Sequence, residues 1–316
     1  MINNRRSFIV GLKSYKLSSQ EIKFLKKYKP WGIILFSRNI KTIKQTKLLT
    51  NEIKKIFLDK NYPIIVDQEG GRVNRFANII SNSFFSAEYF GKLYTKNFKY
   101  FNYQYKLFIS QTSYLMKKMG ININTLPVLD VRTKNSSQII GDRSFSVNPS
   151  IVSKIGNFCI KNFHKNKIAT VIKHIPGHGR AKLDSHKYTP VVKTHIKKLN
   201  KIDFFPFKKK NSIFAMTAHI IFDKIDPINT TTHSKKVINN IRKKIKFKNL
   251  LLSDDISMKS LKFSIKENTI KSFKAGCNLV LHCNGNINEM INVAKNSPKV
   301  NSFIIKKTSQ FYKIIS

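Results

Sequence analysis

The chain has 316 residues, 41% of them hydrophobic with 24 Phe and 11 Tyr, which is ample for a packed core and excludes a disordered basic tail. Its 59 Lys and Arg against 16 Asp and Glu give a formal charge of +43, yet only 9 of the cations are Arg while 50 are Lys, beside 43 Ile and 31 Asn. A dedicated nucleic-acid reader favours the planar fork of Arg, so the charge reads mainly as the codon drift of an AT-rich genome.

Short apolar runs recur along the chain: FIVGL (7–11), GIILF (32–36), PIIVD (63–67), INTLPVLD (123–130), ATVIKH (169–174), IFAMTAH (213–219), NLLLSDD (249–255) and CNLVLHC (277–283). Their near-continuous apolar character is that of parallel strands buried on both faces. The intervening segments are long enough for helices, and 19–28 (opened by the cap signal SSQE), 42–58, 105–119, 151–163 and 234–245 read as helical. No Pro/Gly/Ser linker divides the chain and no short fixed repeat occurs, so one domain over 1–316 is expected. Eight strands alternating with helices predict an α/β fold, a single (β/α)8 TIM barrel, with a doubly wound open sheet as the structural alternative. IRKKIKFK (241–248) and IIKKTSQFYK (304–313) read as solvated helix faces. Cys159, Cys277 and Cys283 lack CxxC spacing, so neither a disulfide framework nor a zinc ribbon is expected. The apolar stretch near the start is shorter than a secretory core, and none approaches a membrane span. A cytoplasmic protein with no membrane partner is the expectation.

Asp67, Asp130, His174, His219 and Asp254 each fall at or near the C-terminal end of a proposed strand, the face on which barrel enzymes build their sites. Nine of the sixteen acids lie in the segments around these positions, although a Lys-rich chain needs none there for solvation. In VDQEGGRVNRF (66–76), Asp67 and Glu69 sit at a strand mouth before a Gly–Gly turn, with Arg72 and Arg75 following; carboxylates and Arg of this kind can hold sugar hydroxyls, or form a surface ion pair. GDRSFSVNP (141–149) offers Arg143, or an ordinary Asx turn at Asp142. KHIPGHGRAKLDSHKYTP (173–190) is the most informative stretch. Its Pro and Gly residues forbid a helix after Lys173 and His174, and Asp184 lies two residues from His186, close enough to orient an imidazole for proton transfer. Core packing of His174 and His178, or a metal bound by His174, His178 and His186, are the competing readings. In LLLSDDISM (250–258) Asp254 can aim into a barrel mouth as a nucleophile, while Asp255, on the opposite strand face, is free to cap the next helix. MTAHIIFDKIDP (216–227) supplies His219 as a possible pocket wall, with Met216 read as packing.

Together these segments resemble the bacterial β-N-acetylhexosaminidases of glycoside hydrolase family 3. The resemblance runs in order from GIILFSRN (32–39) through VDQEGGRVNRF, INTLPVLDV, GDRSFSVNP, KHIPGHG with its DSH, MTAHI, LLSDDISM and AGCNLVLHCN (275–284), about four-fifths of the chain. KH-x-PGHG followed by DSH, with SDD-x-SM, is specific in combination. The resemblance implies a single barrel, removal of terminal β-linked N-acetylglucosamine with retention, and a setting in cytoplasmic cell-wall recycling. It further implies Asp254 as nucleophile, His186 as general acid/base with Asp184 as its dyad partner, and Asp67, Arg75, Arg143, Lys173 and His174 as sugar-holding residues. No cofactor and no metal are implied. Cell-wall fragments containing N-acetylglucosamine are the expected partners, with no specific nucleic acid, and the chain is expected to act as a monomer. Two departures stand out: Lys246–Asn249 replaces a stretch that usually carries Gly, and Arg180 and Lys182 make the acid/base loop unusually basic. A metal-dependent barrel hydrolase and a nucleic-acid-binding barrel are the other function classes the residues leave open.

Overall fold

The computed structural model describes residues 2–133, 138–185 and 187–316. Eight parallel strands close into a barrel: β1 (Arg6–Gly11), β2 (Pro30–Leu35), β3 (Ile64–Val66), β4 (Ile123–Asn124), β5 (Ala169–Ile175), β7 (Phe214–Thr217), β9 (Leu250–Asp255) and β10 (Leu279–His282). Each pairs with the next in this order, and β10 returns to β1. The remaining strands, β6 (Val191–Val192) and β8 (Ile221–Phe222), form a small parallel pair of their own. Every predicted apolar run contributes one barrel strand, and the (β/α)8 expectation is met.

The helices are α1 (Ser19–Tyr28), α2 (Ile43–Ile56), α3 (Ala87–Lys96), α4 (Phe98–Lys118), α5 (Pro149–Lys165), α6 (Ile196–Lys201), α7 (Lys235–Asn240), α8 (Ile265–Ala275), α9 (Ile287–Asn296) and α10 (Ser302–Ile315). Local chemistry sets their starts. Ser18 and Glu21 form a reciprocal capping box on α1, as SSQE signals, and Ser264 with Glu267 does the same on α8. Asn148 caps α5, whose first position is Pro149, where the missing N–H costs nothing.

Some predicted bounds shift for identifiable reasons. The run 123–130 yields a strand of only two residues, because Pro127 has no N–H for the ladder; Val128 then makes a single bridge to Lys173. The helix expected over 234–245 widens after Asn240 into a π turn, Ile241–Ile245, which ends at Lys246 in the left-handed conformation. That segment is more than a solvated face: Ile241 and Ile245 are buried, and Arg242 donates to the carbonyls of Phe247 and Asn249 and to the Asn278 side chain.

Two apolar layers hold the fold. The outer one packs the helices on the barrel, and the inner one fills the barrel with Ile9, Trp31, Ile65, Phe214, Leu252 and their neighbours. The inner layer continues into α10, where Ile304, Thr308 and Phe311 are buried. Trp31 and Phe214 lie at strand starts, so α10 closes the N-terminal end of the barrel. Phe311 packs against both rings, and the Trp31 indole N–H donates to Thr308 Oγ1 at 2.9 Å. The apolar half of 304–313 is therefore core, which a solvated reading of its lysines overlooks. Phe311→Ala should destabilise the protein by about 3–5 kcal/mol in denaturant titration, while the opposite end of the barrel keeps its structure.

Candidate active site

The C-terminal ends of the strands open onto a cavity lined among others by Asp67, Arg75, Arg143, Lys173, His174 and Asp254. Six of the eight predicted site residues are thus brought together from three strand ends and two loops. Asp184 is half-buried on the loop after β5, and its neighbour Ser185 lines the cavity. His186 lies outside the described residues.

The loop after β3 is held by its own side chains. Gln68 Oε1 accepts from the backbone N–H groups of Arg75 and Phe76, and the Asn124 amide exchanges hydrogen bonds with the Gln68 backbone. Gly70, at φ 90°, turns the chain where a Cβ would stand 2.5 Å from the Phe85 carbonyl oxygen. This path delivers Asp67 and Glu69 to the mouth. Asp67 Oδ2 accepts from Arg75 Nη2 at 2.9 Å, and its Oδ1 accepts from Thr125 Oγ1 and from the Lys173 ammonium. Lys173, only 2% exposed, also pairs with Glu69 Oε1 at 2.5 Å. Glu69 in turn receives both arms of Arg143 at 2.7 Å. Burial works to raise both carboxyls. For Asp67, Lys173, Arg75 and Arg143 outweigh it and hold the group well below the usual range; for Glu69, Arg143 and Lys173 do so. Arg72, by contrast, is half-exposed and ties the two loops through Asp142 at 2.8 Å and the backbone carbonyls of Gln138 and Ile139.

A second node lies behind the first. Asp130 is completely buried; its carboxylate accepts from the backbone N–H of His178 at 2.6 Å and meets His174 Nδ1 at 2.7 Å. Burial alone would raise Asp130, and His174, with its contact to that carboxylate, reverses the sign. The pairing fixes the His174 ring at the cavity wall. His178 lies next to it with Nε2 3.1 Å from Ser185 Oγ, and burial pushes it down to about 4, so it is a neutral packed ring.

Asp254 comes from β9. The N–H of Asp255 donates to its Oδ1 at 2.8 Å, and the group is held below its ordinary range: burial opposes this, and His219, His174, that N–H and Lys173 outweigh it. A carboxylate kept ionised at a cavity wall is suited to nucleophilic attack or to stabilising a cation. Asp255 points elsewhere, as strand alternation requires, but it does not cap a helix. It accepts from the Ser257 N–H and hydroxyl and from the Cys283 N–H, fastening the ends of β9 and β10 together. His219 and Met216 exchange their expected parts: Met216 lines the cavity, whereas His219 is buried behind it, bridging the Asp255 carbonyl at 2.9 Å and Thr232 Oγ1 at 2.7 Å. Asp226 caps the turn at Ile228–Asn229, and Asp223 pairs with Lys224 on the surface.

Residue-type reasoning placed Glu69 and Asp130 at strand mouths but not their partners, Arg143 with Lys173 and His174 with His178, and it missed Thr125. Among the described residues no group of three His, Cys, Asp or Glu side chains could hold a metal. No helix among them is long and apolar enough to cross a membrane.

Residues 6–309 match the Glycosyl hydrolase family 3 N terminal domain. The chain belongs to glycosyl hydrolase family 3. A relative from Idiomarina loihiensis named beta-hexosaminidase is 31% identical over 286 residues, covering 87% of this chain and 83% of that one. NagZ from Neisseria gonorrhoeae, solved in complex with N-trifluoroacetyl-D-glucosamine, superposes with a TM-score of 0.82 at 25% identity over 99% of both chains. A beta-N-acetylglucosaminidase of the family from Paenibacillus sp. str. FPU-7 superposes at 0.85 and shares the fold at 22% identity; the 98% of this chain that aligns spans 60% of that protein. The candidate site of this family 3 glycosidase lies at the end of the barrel where barrel enzymes build theirs.

Two outcomes test the site's electrostatics. Glu69→Ala leaves Arg143 and Lys173 short of a buried partner and should cost about 3–5 kcal/mol of stability, measured by denaturant titration. The second concerns pH. Burial pushes His164, His178 and His233 each down to about 4 from an ordinary 6.5, so the unfolded chain binds more protons. Their contribution to stability is complete above about pH 6.5 and is lost as pH falls towards 4. Asp67, Glu69 and Asp130, all lowered, add a loss of the same sign only below about pH 4. Asp203, pushed up to about 6 by burial, opposes them. The midpoint of thermal unfolding should fall between pH 6.5 and 4; a flat profile there would contradict neutral burial of these rings.

Proposed function

We propose that this glycosidase is an exo-acting, retaining β-N-acetylglucosaminidase that removes terminal N-acetylglucosamine from peptidoglycan fragments, acting as a monomer in the cytoplasm. The observation that carries the reading is the ionised Asp254 carboxylate on the same cavity as Asp67, Arg75, Arg143, Lys173 and His174. The sequence likeness to a named beta-hexosaminidase and the fold of a sugar-bound relative support it.

In this mechanism the terminal sugar enters with its hydroxyls towards Asp67, Arg143, Lys173 and His174. A carboxylate already paired with Arg75 and Lys173 keeps its charge on desolvation and can still accept hydroxyl protons at its remaining lone pairs. Asp254 attacks the anomeric carbon, and the glycosidic bond breaks as His186, oriented by Asp184, gives a proton to the leaving oxygen. His186, now neutral, takes a proton from water; the water oxygen bonds to the anomeric carbon and the Asp254 carboxylate departs, so the configuration is retained. The short DSH segment suits this part, because Ser185, between the two residues, borders the cavity. The usual family of two-carboxylate schemes places a second acid in this role, and an Asp-paired imidazole substitutes for it.

Asp254→Ala should lower hydrolysis of an aryl β-N-acetylglucosaminide by roughly 10⁴–10⁶-fold, as loss of a covalent nucleophile does, with folding unchanged by circular dichroism. His186→Ala should slow substrates with poor leaving groups by about 10²–10⁴-fold and activated aryl glycosides much less. Near-normal turnover by Asp254→Ala would remove the nucleophile assignment, and equal slowing of both substrate types would remove the acid assignment.

A further inference from the structure

A second pocket, an open groove, lies on the same face of the barrel and is lined by Thr133, Arg180, Lys182, Lys193 and Thr194 beside the β6 valines. It is a neighbour of the sugar cavity through one loop. His178 and Ser185 of that loop line the sugar cavity, while Arg180 and Lys182 line the groove. We propose that this groove is an anion-binding subsite that takes free carboxylates of a peptide carried on the leaving-group half of the substrate. The proposal rests on the reading of the chain as a glycosidase acting on peptide-bearing fragments.

Four observations carry it. First, three cationic side chains converge on the groove, and no acid is among the described residues that line it. Asp203, the carboxylate paired with Arg180, is 1% exposed and is not among the residues that line the groove. Second, the arrangement is anchored. Arg180 Nε donates to Asp203 Oδ2 at 2.7 Å, which fixes the guanidinium against the fold. Gly179, beside it, has its Cα so close to the Val131 carbonyl that a Cβ would stand 1.8 Å from that oxygen, so the loop is seated tightly before it turns outward. Third, Lys193 follows β6, which is paired to β8 and held by the Asp223 N–H on the Val192 carbonyl, giving the opposite wall a rigid base. Fourth, the position suits a leaving group. The loop that carries Arg180 and Lys182 also carries Asp184 and Ser185, so in the proposed mechanism the group that protonates the leaving oxygen sits on the loop that lines the groove.

The high net charge supplies a competing account, in which any anion is drawn diffusely to the whole surface. The groove predicts a local effect instead. Each exposed charge pair is worth roughly two- to fivefold, so removing two lysines should cost about 5- to 20-fold. The experiment compares Lys182→Gln/Lys193→Gln with Lys306→Gln/Lys313→Gln, two exposed lysines on the helix at the opposite end of the barrel. Two substrates are used: a β-N-acetylglucosaminide whose aglycone carries a dicarboxylate peptide, and a neutral aryl β-N-acetylglucosaminide. The groove variant should lose about 5- to 20-fold in kcat/KM on the anionic substrate, mainly through KM and less at 0.5 M salt. Both variants should stay within about twofold of the parent on the neutral one. Lys193→Glu, on a different element from Asp184, should deepen the loss on the anionic substrate alone.

Equal losses on both substrates, or the same loss from the far-side pair, would overturn the subsite. A binding arm separates this from the function itself: fluorescence anisotropy of the dye-labelled dicarboxylate peptide, with and without Lys182→Gln/Lys193→Gln. If the parent hydrolyses the aryl substrate but peptide binding is unmoved by the variant, the groove fails and the glycosidase stands. If neither substrate is turned over, the glycosidase reading fails, and the anisotropy alone decides whether the groove binds carboxylates.

Discussion

Lys173 is almost wholly out of water, and its ammonium is shared between Asp67 and Glu69, which in turn are gripped by Arg75 and Arg143. Removing any one member would strand a charge in a medium where an unpaired ion is costly. The cluster therefore ties β5, the loop after β3 and the segment before α5 into a single geometry. Its price in desolvation is met by mutual pairing, and its result is a wall of fixed dipoles and charges facing a cavity. These groups hold one another in place before any ligand enters.

The second node, Asp130 with His174 and His178, supports the first from behind. A fully buried carboxylate accepts from the backbone of one histidine and holds the ring of the other. On the far wall, His219 and Asp255 lock the ends of β7, β9 and β10, leaving Asp254 as the acid of that strand facing the cavity. Neighbouring acids thus divide between cavity wall and scaffold by strand alternation.

Much of this was legible in the residues. The eight apolar runs marked the eight barrel strands because strands buried on both faces need continuous apolar character. Asp67, His174 and Asp254 were marked by standing at the ends of those runs in a chain with few acids. The roles of Glu69 and Asp130 were not legible, because what makes them matter is a partner 74 or 44 positions away in sequence. The tail helix misled for a related reason: its lysines advertise solvent, while Phe311 and Ile304 face a barrel end that exists only once the sheet has closed.

The sequence by itself determined the alternation of strands and helices, the caps that start α1, α5 and α8, and the positions at which polar residues meet the barrel mouth. These follow from near-neighbour physics: hydrophobic period, capping geometry and the missing N–H of proline. The tertiary structure decided which acid pairs with which cation, that Met216 faces the cavity while His219 stays behind it, and that α10 is a plug. It also set Arg180 and Lys182 beside Lys193 across a groove. Closure of the barrel brings residues far apart in the chain within hydrogen-bonding distance, and electrostatic pairing at that range depends on distance and burial rather than on order along the chain.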